Sequence, residues 1–341
     1  MTTDDVAYYG PESFIKKKRH PFSLIVEIVN SFGHEIKLIK DIDKYKDSWA
    51  AVLRDYKNII TWDGVNRDKN VKDYHNILFF QFHRFHRFNK QNTGNLKLWF
   101  DNLGLNHMSS VAQASYQKSV TVENRIFIEK KMKDIFGSRE NHLKAKEKKI
   151  LFLSNGKLWS NRHQRLLSKV MNSKQSDEYE ILVRPHPLVT AGSDKKSFAD
   201  FCRSFYEFRL NNKKIKISMS EKDFSNCEIA VSMGSSSILA TAWFGAKSFS
   251  FNKCLTGDSS AIFHMNYKMV DENFICRVSE FEYNFEDLLD ILYLLYENTS
   301  RGDETATDTI SIPAINSWIK VLQGKNLPLK TKRGVQLHQK D

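Results

Sequence analysis

No stretch of this sequence approaches the roughly 18 consecutive apolar residues that a membrane-crossing helix requires. The opening Met1–Gly10 is polar and acidic, and no apolar run with a cleavage site follows it. No secretory leader is therefore expected, and the chain reads as cytoplasmic. Cysteine is scarce: Cys202, Cys227, Cys254 and Cys276 are the four in 341 residues. They are widely spaced and form no CxxC pair, so reduced thiols are expected rather than a cysteine-built zinc site. HExxH is missing, and so are the GxxxxGK of a P-loop and the GxGxxG of a dinucleotide site. A helical zinc pair, a P-loop ATPase and a nicotinamide dehydrogenase do not fit. There is no internal repeat.

What is present is apolar material for two cores. Hydrophobic residues make up 41% and charged residues 27%, ordinary values for a globular chain. A length of 341 residues suits two domains of about 150 each. Short β-rich runs alternate with helix-periodic stretches, the signature of an α/β fold with parallel sheets. Strands are expected at Asn58–Trp62, Asn76–Phe82 and Leu96–Phe100, with an earlier one within Phe22–Ile28. Val122–Phe136 reads as a helix, with Ile126, Ile128, Met132 and Ile135 among charges. Ser138–Lys149, polar and strongly charged, reads as a linker. Beyond it the pattern restarts. Strands are expected at Lys149–Leu153, Glu180–Arg184, Ile215–Ser218, Glu228–Ser232 and Lys247–Phe251. Helices are expected at Asn161–Met171, Lys195–Leu210, Ser235–Phe244, Phe281–Tyr296 and Ile315–Leu322. The expected organisation is one Rossmann-like domain over 1–140, a second over 149–324, and a basic tail over 325–341. Such domains would face each other across a cleft.

The formal charge is +12. A basic surface can hold nucleic acid, an anionic membrane face or an anionic small substrate. The runs Lys16–Arg19, Lys144–Lys149 and Lys330–Arg333 are equally readable as solvated edges. The stripe Phe82-His83-Arg84-Phe85-His86-Arg87-Phe88 invites a nucleic-acid reading, since bases stack on aromatic rings and Arg meets phosphate. Its phenylalanines recur at every third position, however, which suits one face of a helical turn or a buried edge at least as well.

Ligands of open α/β sheets bind beyond the carboxyl ends of the strands, so motifs that begin where a strand ends carry the most weight. Arg184-Pro185-His186-Pro187 follows the strand Ile181-Leu182-Val183. Its two prolines deny the backbone helix and hold His186 at a strand end, able to donate to a phosphate oxygen or act as an acid. Arg184 would add a charged contact, although the same residues also make a plain turn. Ser232-Met233-Gly234-Ser235-Ser236-Ser237 leaves a second strand and opens a helix. Backbone N–H groups and hydroxyls there suit an anion, and Gly234 lets it approach the backbone; ordinary Ser capping is the bland alternative. Together the two motifs could hold a diphosphate or a sugar-linked phosphate. A general base for an acceptor hydroxyl has two candidates, Asp101 after Leu96-Lys97-Leu98-Trp99-Phe100 and Asp63 after Asn58-Ile59-Ile60. Asp63-Gly64 is also a turn signal.

On these motifs the chain resembles the bacterial capsule polysaccharide synthesis transferases. That family includes Kdo transferases and is akin to bacterial sialyltransferases and polysialyltransferases. Arg184-Pro185-His186-Pro187 looks like the family's His-Pro motif, and Ser235-Ser236-Ser237 looks like its serine motif. Trp99–Ser110 looks like its acidic-Gly segment, with Asn102 and Leu103 separating Asp101 from Gly104. Ile60-Thr61-Trp62-Asp63-Gly64 is similar to a Trp-Asn-Gly segment of capsule transferases. The resemblance implies a GT-B fold of two Rossmann-like domains. It also implies transfer of an acidic sugar, such as Kdo or sialic acid, from a CMP-sugar to a glycan or glycolipid acceptor of the bacterial surface. His186 and Ser235–Ser237 would contact the CMP phosphate, and Asp101 or Asp63 would serve as base. No metal cofactor is implied, and the basic surface would dock an anionic polymer or the inner membrane face. A CDP-glycerol-type transferase shares the phosphate cradle and stays open. A nucleic-acid-binding protein and a non-catalytic relative also stay open.

Overall fold

A computed structural model describes residues 3–10, 12, 21–39, 51–62, 75–82, 85, 96–102, 109, 111, 120–143, 146–154, 159–185, 195–210, 215–251, 259–301 and 305–324. The chain forms two compact units. One comprises 1–83, 95–105 and 297–341, and the other comprises 84–94 and 106–296.

The first unit holds β1 (Thr3–Tyr9), β2 (Ile36–Leu38), β3 (Tyr56–Trp62), β4 (Asn76–Phe82), β5 (Leu96–Asp101) and β12 (Thr299–Arg301), in the order β12-β5-β4-β3-β1-β2. β2, β1, β3 and β4 are parallel, while β5 runs antiparallel to β4 and β12 antiparallel to β5. The parallel strands thus reverse direction of progression between β1 and β3, a switch point of the kind that places ligands beyond the strand ends. Alternate residues of the strands (Val6, Tyr8, Ile60, Leu78, Phe80, Leu98 and Phe100) share one face. They pack on Phe22, Ile25, Ile28 and Val29 from one helix and on Ile315, Trp318 and Ile319 from another.

The expected strand within Phe22–Ile28 is instead the helix Pro21–Ser31. Its residues are β-branched, but the buried Phe22, Ile25, Ile28 and Val29 recur at helical spacing, and Pro21 suits a first helical position. β1 was not expected. Its Asp4-Asp5 opening disguises Val6, Ala7, Tyr8 and Tyr9, all buried, and Asp5 is paired with Lys37 at 2.6 Å.

The second unit holds β6 (Glu147–Leu153), β7 (Glu180–Arg184), β8 (Ile215–Ile217), β9 (Cys227–Ser232), β10 (Lys247–Ser250) and β11 (Ile262–His264). All are parallel, in the order β11-β10-β9-β6-β7-β8. Read from β8, this is the 3-2-1-4-5-6 order of a doubly wound nucleotide-binding sheet, with its switch point between β6 and β9. Ile150, Phe152, Ile181, Val183, Ile229, Val231 and Phe249 form one face, covered by Leu166, Leu167 and Val170 of helix Asn161–Met171 and by Phe201 and Phe205 of helix Lys195–Leu210. The α/β class and the two Rossmann-like sheets are therefore observed.

The division between the units differs from a cut at a charged linker. Helix Val122–Phe136 belongs with the second unit. Arg125 donates to Asp290 at 2.6 and 2.9 Å and to Glu286 at 2.7 Å, and Phe136 lies 6.0 Å from Trp243. Ser138–Lys149 contains a short helix, Glu140–Leu143, and the start of β6. Helix Pro313–Leu322, expected to close the second domain, packs on the first sheet. Trp318 Nε1 donates to the Asn76 carbonyl at 3.0 Å, and Asn76 Nδ2 donates to the Trp318 carbonyl at 2.9 Å. An apolar helix face shows that a helix must be covered, but not which sheet covers it.

Candidate active site

The carboxyl edge of the second sheet gathers the strand-end motifs. Ser232 ends β9, beside the switch point, and is fully buried. Its Oγ accepts the N–H of Ser235 at 2.7 Å and that of Gly234 at 3.1 Å. Gly234 has φ +100°, a left-handed conformation that strains any residue with a Cβ. Ser235 Oγ accepts the Ser237 N–H at 3.3 Å. Three turn N–H groups expected to face an anion are thus bonded within the turn. What remains is the partly exposed hydroxyls of Ser236 and Ser237 and the Ser236 N–H, for which no partner exists among the described residues.

The following helix is shorter than expected. Tight bonds from Ile238 to the Ser235 carbonyl (3.2 Å) and from Leu239 to the Ser236 carbonyl (3.1 Å) precede a helix of only Ile238–Trp243, all buried. A helix this short contributes little dipole, so the chemistry of the turn is that of its hydroxyls. Gly234 serves conformation, Ser232 and Ser235 serve as internal clasps, and Ser236 and Ser237 face outward. Ser232 stood at the head of the motif in the sequence. Only the geometry of the turn marks it as the residue that shapes the others.

Arg184 ends β7. Its guanidinium donates to the Ser220 carbonyl at 2.8 Å and lies 4.3 Å above the Phe224 ring. Burial lowers its pKa, opposed by the nearby Glu221 and Asp223 carboxylates. Arg184 is therefore anchored to the turn after β8. The strand ends are knitted further: Ser154, after β6, donates from N and from Oγ to the Arg184 carbonyl, each at 3.0 Å. His186 lies outside the described residues, two positions beyond the end of β7.

In the first sheet, Asp101 is fully buried. It pairs with Phe79, which pairs with Thr61, which pairs with Tyr9, so the four share one row and one face. β5 runs against its neighbours, and its carboxyl end therefore does not open where those of β1 and β3 do. Asp101 is the last residue of β5, as expected, but it is paired with Phe79 in the ladder and fully buried. Asp63 lies outside the described residues and directly follows β3, one of the two strands bounding the switch point.

Phe85 is buried, with ring centroids 6.4 Å from Phe136 and 6.2 Å from Tyr296, so it packs in the second unit and offers no platform for a base. The rest of Phe82–Phe88 beyond the strand end lies outside the described residues. In the Lys144–Lys149 run, Lys146 donates to the Ser225 carbonyl at 2.8 Å, Lys148 pairs with Glu178, and Lys149 pairs with Glu147 at 2.6 Å. The described part of that run is engaged in the fold. Among the described residues no group of three or more His, Cys, Asp or Glu is placed to hold a metal, and no helix is long and apolar enough to cross a membrane.

No family model and no curated protein matches the chain. Among solved structures it is similar to the β-Kdo 2,7-transferase of KpsC from Thermosulfurimonas dismutans, with TM-score 0.48 and 12% identity over 92% of this chain and 99% of the other. The β-Kdo 2,4-transferase of the same protein follows, with TM-score 0.47 and 11% identity over 84% and 89%. A glycosyltransferase from Rickettsia africae has TM-score 0.36 and 8% identity over 94% and 98%.

Proposed function

We propose that the chain is a glycosyltransferase that takes an acidic sugar, of the Kdo or sialic acid kind, from a CMP-sugar and passes it to a glycan or glycolipid acceptor of the bacterial surface. The observation that carries this reading is the hydroxyl-lined turn Ser232–Ser237 at the carboxyl end of β9, beside the switch point of a sheet with the nucleotide-binding strand order. In this mechanism the hydroxyls of Ser236 and Ser237 and the imidazole of His186 donate to the donor phosphate as charge develops on it, with no metal required. Ser232 and Gly234 hold the turn in shape. Arg184 fixes the neighbouring loop and lends it positive charge. Asp63 is assigned the base role, because it follows a switch-point strand whereas Asp101 is enclosed in the sheet. The enzyme would work at the cytoplasmic face of the inner membrane, its basic surface toward anionic lipid or polymer.

Calorimetric titration with CMP, CDP, UMP, UDP and GDP tests the donor. Selective binding of cytidine nucleotides, lost in His186→Ala, is the expected result. Preference for UDP or GDP overturns the CMP assignment, and failure of all five overturns the transferase reading.

A further inference from the structure

We propose that His264, the last residue of β11, is a further donor-binding residue. Its imidazole would donate from Nε2 to an oxyanion of the nucleotide-sugar, beside the hydroxyls of Ser236 and Ser237. The proposal rests on the donor reading above. Strand pairing in the second sheet sets Arg184, Leu153, Ser232, Ser250 and His264 in one row at the carboxyl ends of their strands. Residues of one row point to one face, and neighbouring strands lie about 4.8 Å apart, so His264 stands about 10 Å along this edge from Ser232.

The face is fixed from both sides. Phe263 packs against Phe249 and Phe281 of the core, with centroids 6.0 and 5.5 Å away, which turns His264 to the opposite face. Helix Ile238–Trp243 covers that opposite face. It packs on β9, β10 and β11, and the hydroxyls of Thr241 and Ser248 lie 3.0 Å apart. Ser248 precedes Ser250 by two residues and so shares its face. With Thr241 over Ser248, the turn that leads into the helix lies toward the edge where Ser250 and His264 stand. The serine turn and the imidazole are therefore on the same face and at the same edge of the sheet. Met265 N–H donates to the Ser250 carbonyl at 2.9 Å, which carries the pairing past His264 and holds it in place.

The ring itself is poised to donate. His264 is partly exposed, and its Nδ1 is enclosed without a hydrogen-bond partner, so Nε2 is the ring nitrogen that solvent reaches. A neutral imidazole carries one proton, which belongs on the nitrogen able to meet an acceptor. The result is an Nε2–H donor two strands from Ser232. An oxyanion suits such a donor beside two hydroxyls, and the donor substrate offers two of them: its phosphate and the carboxylate of an acidic sugar.

The test is NMR of the full chain labelled with ¹⁵N-histidine, the His264 Nε2 resonance being read through the ring C–H protons and assigned by His264→Gln. Ligands are cytidine, CMP, CMP-sialic acid and inorganic pyrophosphate. CMP or CMP-sialic acid should move the resonance, while cytidine leaves it in place. A shift with CMP assigns the phosphate, and a shift with CMP-sialic acid alone assigns the carboxylate. By calorimetry His264→Ala should lose about tenfold in affinity for the ligand that moves the ring and keep its affinity for cytidine. His264→Gln, which carries an N–H at similar reach, should recover most of that loss. An equal shift with cytidine overturns the proposal, as do an unmoved resonance with CMP-sialic acid bound and wild-type affinity in His264→Ala. If His264→Ala fails to fold, the shifts in the wild-type chain decide. If no cytidine compound binds, the donor reading falls. Pyrophosphate then decides the role of His264 by itself, because a shift supports it and an unmoved resonance overturns it.

Discussion

Ser232→Ala removes one oxygen from the carboxyl edge of the second sheet. That oxygen is fully buried and accepts two backbone N–H groups, at 2.7 Å from Ser235 and 3.1 Å from Gly234. A buried donor left without an acceptor costs about 1–3 kcal/mol, and the partly exposed Gly234 N–H recovers some of its loss by meeting water. The expected destabilisation is therefore about 2–4 kcal/mol. For a unit of about 200 residues this lowers the melting temperature by about 4–16 °C. The turn also loses the clasp that holds Gly234 at φ +100°, so Ser236 and Ser237 no longer face outward and nucleotide affinity falls with stability. The comparison is Ser236→Ala with Ser237→Ala, whose partly exposed hydroxyls have no partner among the described residues. That pair should stay within about 0.5 kcal/mol of wild type in urea denaturation. It should still lose about tenfold or more in CMP affinity by calorimetry. Unchanged melting of Ser232→Ala, or equal loss of stability and binding in the double variant, would refute the division into clasp and ligand hydroxyls.

Other consequences can be measured in the same way. Arg184→Lys keeps the charge but not the planar stack on Phe224, and should cost about 1 kcal/mol in urea denaturation while changing CMP affinity less than His186→Ala does. Asn76→Ala breaks the bonds to the Trp318 carbonyl and to Asn58 Oδ1 and should destabilise the first unit by about 2–3 kcal/mol. Its effect should appear in the unfolding transition of that unit even though Trp318 lies 242 positions away. Lys146 is held down to about 8, chiefly by burial, and Cys227 is pushed up to about 12 by burial. A lysine lowered in the fold binds fewer protons than in the unfolded chain, so its contribution to stability rises with pH above about 8. A buried thiol raised in the fold acts in the opposite sense, and its contribution is lost as pH rises through the range from about 9 to 12. The two oppose each other in the native chain. Lys146→Met should gain about 1–3 kcal/mol at pH 7 and then lose stability above pH 9, as denaturation at several pH values would reveal.

Much of this fold is legible in the sequence. Val122–Phe136, Asn161–Met171, Lys195–Leu210, Asn76–Phe82 and Glu180–Arg184 are found with the bounds their periodicity indicates. They combine a long or strongly apolar pattern with clear breaks at each end. Two kinds of element escape. β1 and helix Pro21–Ser31 combine conflicting local signals, acidic residues at a strand start in one and β-branched residues in a helix in the other. β2, β11 and β12 are three residues each and carry no period to read. Long-range placement escapes as well. The antiparallel direction of β5, which encloses Asp101, and the return of Pro313–Leu322 to the first sheet depend on contacts between distant residues. In the serine turn the sequence identifies the place and the residue types. It does not distinguish the hydroxyls that bond the turn from those that face outward, because that depends on one left-handed glycine and on the rotation of Ser232.

If the turn after β9 holds a nucleotide phosphate, a crystal structure of the full chain with CMP will show it there. The phosphate should lie within about 3 Å of the Ser236 and Ser237 hydroxyls, with the Ser232 clasp intact. CMP bound elsewhere on the chain, with both hydroxyls unengaged, would mean that the turn is not the phosphate site.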